Sequence, residues 1–404
     1  KKWIFSSTRA VMILVCFGFF TTAYAVNYNV SFCVKAGLNF TDASGGDFWN
    51  TSPQTIHGVF LRVREGLVGT TVFLDYTDAE TGCTPALTLS STKSYSINMR
   101  SEAMVDNNNE IDFLSDTATP TNYIVVLALG YTPTASGSVD LVASDAGEHV
   151  AQVTAAAAYA INKRYGGTSY ENYNLFNGVS GCCDSPPCGD HSCARTSGVY
   201  LTTEGKVNKF IIAHELGHAV GIKRDGDVVH NDELDNNSHF CNEKGSSSHD
   251  YVSIEWQNTG AKEGFAHFYA ATIWNSISES SCEFYYYKYI DYDKDGYIDS
   301  SEYQDPPLGP IYDCESGCNY LETWCGPTYT NRSIEVDWLR FWWDLLTDGG
   351  ETFGNIADIW DEADPYDWQD EGVGVYSSLR DAADDEGVNM TFWDSYADTN
   401  GVDH

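Results

Sequence analysis

Residues 209–221 read KFIIAHELGHAVG, and three of them could do chemistry together. His214 and His218 are four apart. On a helix that spacing puts both imidazoles on one side, one turn from each other. Two imidazoles so placed can share one Zn²⁺ in a tetrahedral arrangement. Glu215 lies beside a ligand and can take a proton from a water that the metal has made more acidic. The water then attacks a carbonyl, which is the chemistry of the HExxH pattern. The flanks favour a helix. The run is apolar, the strand-like VYLTT precedes it, and Gly217 and Gly221 permit close packing, Gly221 as the expected helix end.

A second stretch, DYDKDGYIDSSE at 291–302, could bind a harder cation. Asp291, Asp293 and Asp295 occupy positions 1, 3 and 5 of an EF-hand loop. Gly296 supplies the sharp turn, Tyr297 a backbone carbonyl, Asp299 position 9, and Glu302 a bidentate carboxylate at 12. Pro306 and Pro307 cut any exiting helix short, and no second loop of this kind occurs. One such loop implies a structural Ca²⁺ rather than a calcium sensor.

A catalytic zinc needs a third protein ligand and one open position. Six residues after His218, where a third histidine would serve, stands Arg224. Downstream comes KEGFAHFYA, in a stretch read as an amphipathic helix over 259–277. HELGHAVG followed by KEGFAHFYA resembles the gluzincin metallopeptidases of the zincin superfamily. The resemblance covers roughly residues 145–280. It implies a zincin-like catalytic domain with a pair of active-site helices. It implies His214, His218 and Glu263 as zinc ligands and Glu215 as the general base. One departure is visible. Many gluzincins carry an acidic residue one turn after the ligand glutamate, bonded to a zinc histidine, and here that position is His267. His267 and His230 are therefore rival ligands. Tyr285, Tyr286, Tyr287, Tyr329 and His230 are the candidates for stabilising the developing oxyanion.

The elements around these residues divide the chain. Lys1, Lys2 and Arg9, an apolar run, and Ala23-Tyr24-Ala25 read as a secretory signal segment over 1–25. Residues 26–143 alternate and are rich in Val, Thr, Phe and Tyr, as a β-rich, sandwich-like domain would be. Residues 144–280 hold an alanine-rich helix and the HELGH stretch, and 281–404 read as mainly helical with the calcium loop. The expected class is α+β. The formal charge of −36 argues against nucleic acid or an anionic membrane surface as partner. No later stretch is long and apolar enough to span a bilayer. Of 12 cysteines, Cys16 falls in the signal segment. The remaining 11 are expected mostly to form disulfides within local groups (Cys33 and Cys83; Cys182, Cys183, Cys188 and Cys193; Cys241 and Cys282; Cys314, Cys318 and Cys325), the odd count leaving one free or intermolecular thiol.

The expectation is thus a secreted zinc metallopeptidase, stabilised by calcium, that acts on extracellular proteins or peptides. The alternative from another class is a catalytically silent zincin scaffold used for adhesion or surface binding. An intact Glu215 counts against it, since a scaffold has no need of a base.

Overall fold

The computed structural model describes residues 24–36, 53–105, 109–115, 117, 119–143, 149–164, 171–178, 192–203, 205–224, 254–277, 283–288, 304–305, 309–310, 313–314, 319, 321, 331–363 and 374–403. The expected signal segment up to residue 23, His230, Tyr329 and the expected calcium loop 291–302 lie outside them.

The described residues up to 143 are mainly strands with a period of two, as alternating side chains on a half-covered sheet require. They run β1 (Asn27–Ala36), β2 (Gln54–Thr55), β3 (Val59–Glu65), β4 (Thr71–Tyr76), β5 (Leu87–Ser90), β6 (Tyr95–Met104), β7 (Asn109–Ser115), β8 (Ile124–Tyr131) and β9 (Gly137–Ala143). In β3, Val59, Leu61 and Val63 are buried while Phe60, Arg62 and Arg64 are only partly so. β1 pairs antiparallel with β2 and β5 and parallel with β9, making a four-stranded sheet. Phe32 of β1 meets Tyr131 of β8 edge-on at 5.2 Å, where this sheet faces the larger one. A disulfide joins Cys33 to Cys83, and Cys193 and Cys314 are disulfide-bonded as well.

The larger, eight-stranded sheet crosses the boundary expected at residue 143. After helix α1 (Val150–Arg164) the chain returns as β10 (Glu171–Asn177), which pairs parallel with β7. β12 (Gly198–Leu201) then pairs parallel with β10, and β11 (Cys193–Arg195) lies antiparallel outside it. The order is β11-β12-β10-β7-β6-β3-β4, with β8 also on β6. The β-rich part and the helices after it therefore share one sheet and one hydrophobic core.

Helices cover this sheet. Residues 155–158, all alanine, are buried, so the slim α1 can lie against β6 and β7 and also against α2 (Lys209–Arg224) and α3 (Gln257–Trp274). α2 and α3 run antiparallel: the Trp274 indole donates to the Lys209 carbonyl at 3.1 Å, and Gly217 faces Ala266 near the middle. α3 differs from the amphipathic helix expected from its sequence, because all 18 of its residues are buried. It is walled by α2 on one side and by α5 (Glu335–Thr347) on another, after the short α4 (Tyr285–Lys288). A Cβ on Gly264 would collide with that of Trp338. The last turn of α3 is capped by cations from α1. Lys163 donates to the Ile273 carbonyl, and Arg164 Nε donates to Thr272 O at 3.1 Å. Both meet the negative end of the helix dipole.

α2 also extends beyond the expected stop, running to Arg224. Gly221 serves a different need: a Cβ there would stand 3.2 Å from the Trp360 indole nitrogen of α6 (Phe353–Glu362). α7 (Val375–Asp385) and α8 (Met390–Asn400) complete the helical layer. Gln257, the first residue of α3, donates to the Val402 carbonyl at 2.9 Å, which ties the helix to the last described residues. Among the described residues, no helix is long and apolar enough to cross a membrane.

Candidate metal centre

α2 begins with its register fixed. Asn208 Oδ1 accepts from the Ile211 amide at 3.0 Å, capping one of the amides that a helix start leaves without a partner. From that start, His214 and His218 fall on one face with their Nε2 atoms 3.2 Å apart. Glu263 arrives from α3. Its Oε2 lies 3.1 Å from His218 Nε2 and 3.2 Å from His214 Nε2. The three atoms make a nearly equilateral triangle. Around a tetrahedral Zn²⁺ with bonds of about 2.0–2.1 Å, ligand atoms stand about 3.3 Å apart, so the triangle fits such an ion with little adjustment.

The electrostatics suit a cation. Enclosure in the protein holds the His214 imidazole down to about 3. His267 and His218 push the same way, and Glu263 opposes them. His214 is therefore neutral near pH 7 and keeps a lone pair for a metal. Its Nδ1 is buried and has no hydrogen-bond partner. Glu263 and Glu215 are both buried, each 6% exposed. A buried carboxylate facing two imidazoles is costly unless something positive completes the group.

His267, the rival ligand, sits one turn after Glu263 and is engaged elsewhere. Its Nε2 is 3.0 Å from Glu335 Oε2, and its Nδ1 is 2.6 Å from the Tyr287 hydroxyl. His214, Glu263 and His267 do form a second possible set, with ligand atoms all within 4.8 Å of one another. The triangle that includes His218 is tighter and leaves both His267 bonds intact. Among the described residues, metal-competent groups of His, Cys, Asp and Glu occur only around His214 and Glu263.

Arg224 is turned away from this centre. Its Nη1 donates to Asp358 Oδ1 of α6 at 2.9 Å. Two of the tyrosine candidates are placed. Tyr287 is bonded to His267, and Tyr286 stacks on Phe210 with centroids 4.0 Å apart and planes 5° apart. Glu335 is the site residue that sequence reasoning missed. The available signal was an acid opening the tryptophan-rich helix EVDWLRFWWDLL. Compared with protein-family models, curated proteins and solved structures, the chain shows no significant match.

Proposed function

We propose that this chain is an exported zinc-dependent metallopeptidase of gluzincin type, with a zincin-like arrangement of sheet, α2 and α3. The observation that carries the reading is the convergence of His214 Nε2, His218 Nε2 and Glu263 Oε2 within 3.1–3.2 Å, from two helices and across 45 residues of sequence. A zinc ion bound there would supply a Lewis acid and lower the pKa of a water. His214 and His218 hold the ion from one helix face, and Glu263 lowers its net charge from the other. Glu215, buried one residue after the first ligand, takes the proton of the attacking water and delivers it to the leaving amine. β11 ends the large sheet beside α2, and the backbone of a terminal strand is where an extended peptide can pair. The Cys33–Cys83 disulfide supports an oxidising compartment outside the cytosol. In this reading Ca²⁺ at Asp291, Asp293, Asp295, Tyr297, Asp299 and Glu302 stiffens the fold.

The test is metal analysis and hydrolysis of an unstructured protein by the wild type, His214→Ala and Glu215→Gln. The reading expects one zinc per wild-type chain, loss of zinc in His214→Ala, and an inactive Glu215→Gln that keeps its zinc. A fully active Glu215→Gln would sink the assignment of the base. A zinc-free wild type would sink the metal site. A zinc-loaded wild type that cleaves no protein or peptide would favour the silent scaffold.

A further inference from the structure

Behind the metal centre lies a chain of three buried polar side chains that the reaction itself does not use. Tyr287 is 2% exposed, His267 4% and Glu335 1%. Glu335 lies in the first turn of α5, where the helix dipole favours its charge. Its carboxylate can only accept, so the proton between it and His267 belongs on His267 Nε2. Nδ1 is then left to accept from the Tyr287 hydroxyl. Hydrogen bonds at 2.6 and 3.0 Å on opposite sides of the imidazole fix both its rotation and its tautomer. The ring so fixed presses on a metal ligand. The His267 and His214 centroids are 4.2 Å apart with planes tilted by 43°. Phe210, one turn before His214, closes the other side, 6.1 Å from His267 and 5.7 Å from Tyr287. The His214 ring has no hydrogen bond of its own at Nδ1, the atom by which a metal-bound imidazole is ordinarily held. Its orientation therefore depends on the rings around it.

We infer that His267, locked between Tyr287 and Glu335, is a positioning residue that orients the ligand imidazole of His214 by ring contact. This takes the place of the carboxylate hydrogen bond expected one turn after the ligand glutamate. The inference rests on the metal centre proposed above. Tyr287 and Glu335 act through His267 and touch neither metal nor substrate.

The experiment compares the wild type with Tyr287→Phe, Glu335→Gln, Glu335→Leu, His267→Phe and His218→Ala in the full chain. Zinc affinity is measured by chelator competition, the Co²⁺-substituted protein gives an absorption spectrum, and kcat, KM and melting temperature are recorded. Tyr287→Phe is isosteric and removes one hydroxyl, so it tests the lock without a cavity. It should weaken zinc binding about tenfold, the lower end for loss of an outer partner of a metal ligand. It should also shift the Co²⁺ spectrum and lower kcat with KM unchanged. Glu335→Gln keeps an acceptor for His267 Nε2 and should stay within about threefold of the wild type, whereas Glu335→Leu should match or exceed the Tyr287→Phe loss. The inference is overturned if Tyr287→Phe and Glu335→Leu lower only the melting temperature and leave zinc affinity and the Co²⁺ spectrum unchanged. It is also overturned if His267→Phe loses zinc completely while His218→Ala keeps it, because His267 would then be a ligand. A wild type that binds zinc tightly but hydrolyses no peptide would remove the peptidase reading alone, since affinity and spectrum still report on His267.

Discussion

Gly217 of α2 stands against Ala266 of α3 so closely that a Cβ on Gly217 would lie 2.8 Å from the Ala266 Cα. That contact sits between His214 and His218 on one helix and between Glu263 and His267 on the other. It sets the distance over which the two helices deliver their ligands. Gly217→Ala should force α2 and α3 apart and destabilise the fold by about 1–3 kcal/mol, the usual cost of overpacking. Its zinc affinity should fall more than that of Gly221→Ala, whose extra methyl meets the Trp360 indole instead. Chelator competition on both variants checks the order.

Glu263→Ala should lose tightly bound zinc while α3 stays folded, because the helix is held by Gln257, Trp274 and the α1 cations rather than by this carboxylate. Full zinc retention, measured by metal analysis after dialysis, would remove Glu263 from the ligand set.

Arg224→His in the Glu263→Ala background should not restore zinc. The side chain at 224 is directed to Asp358 on α6, and the pair is partly exposed. Loss of the pair in Arg224→Ala should cost no more than about 1 kcal/mol and leave zinc content unchanged. Recovered zinc in the double variant would contradict the observed direction of residue 224.

Acid should destabilise the metal-free protein through His214. Its folded pKa, about 3, is below the ordinary 6.5, so between these values the unfolded chain binds more protons than the folded one. Stability is then full above about pH 6.5 and falls as the pH drops toward 3, by up to about 1.4 kcal/mol per unit from this group. Urea unfolding of the metal-free wild type and His214→Gln across this window checks it. The variant should show the shallower acid slope.

Calcium removal should lower the melting temperature if residues 291–302 hold a structural ion. Asp291→Ala should lower it equally and become insensitive to added Ca²⁺. An unchanged transition in a calcium chelator would count against the loop.

Much of this arrangement was legible in the chain, and what was not has a common cause. The strands of 26–143 show in their alternation, and α1 and α2 in their helix signals. His214 and His218 lie together because spacing along one helix is a local property. The burial of α3 is not local. The stretch read as amphipathic, yet its Lys262, Glu263, His267 and Thr272 are all buried, and the Glu335 that meets His267 comes 68 residues later. Gly221 read as a stop because its partner, Trp360, lies 139 residues on in sequence. The larger sheet takes strands from both sides of residue 143 because β7 and β10 pair in parallel, and parallel pairing needs a crossover that no short window of sequence reveals.

The full enclosure of α3 also bears on when the centre can come into being during synthesis. Glu263 is emitted from the ribosome well before Glu335, Trp338 and Trp342, which form the wall against which its helix packs. A nascent chain that has reached only α3 has both histidines, the glutamate and the contacts of α3 with α1 and α2, but lacks the α5 wall that completes its enclosure. Full burial of α3 then waits for the last third of the polypeptide.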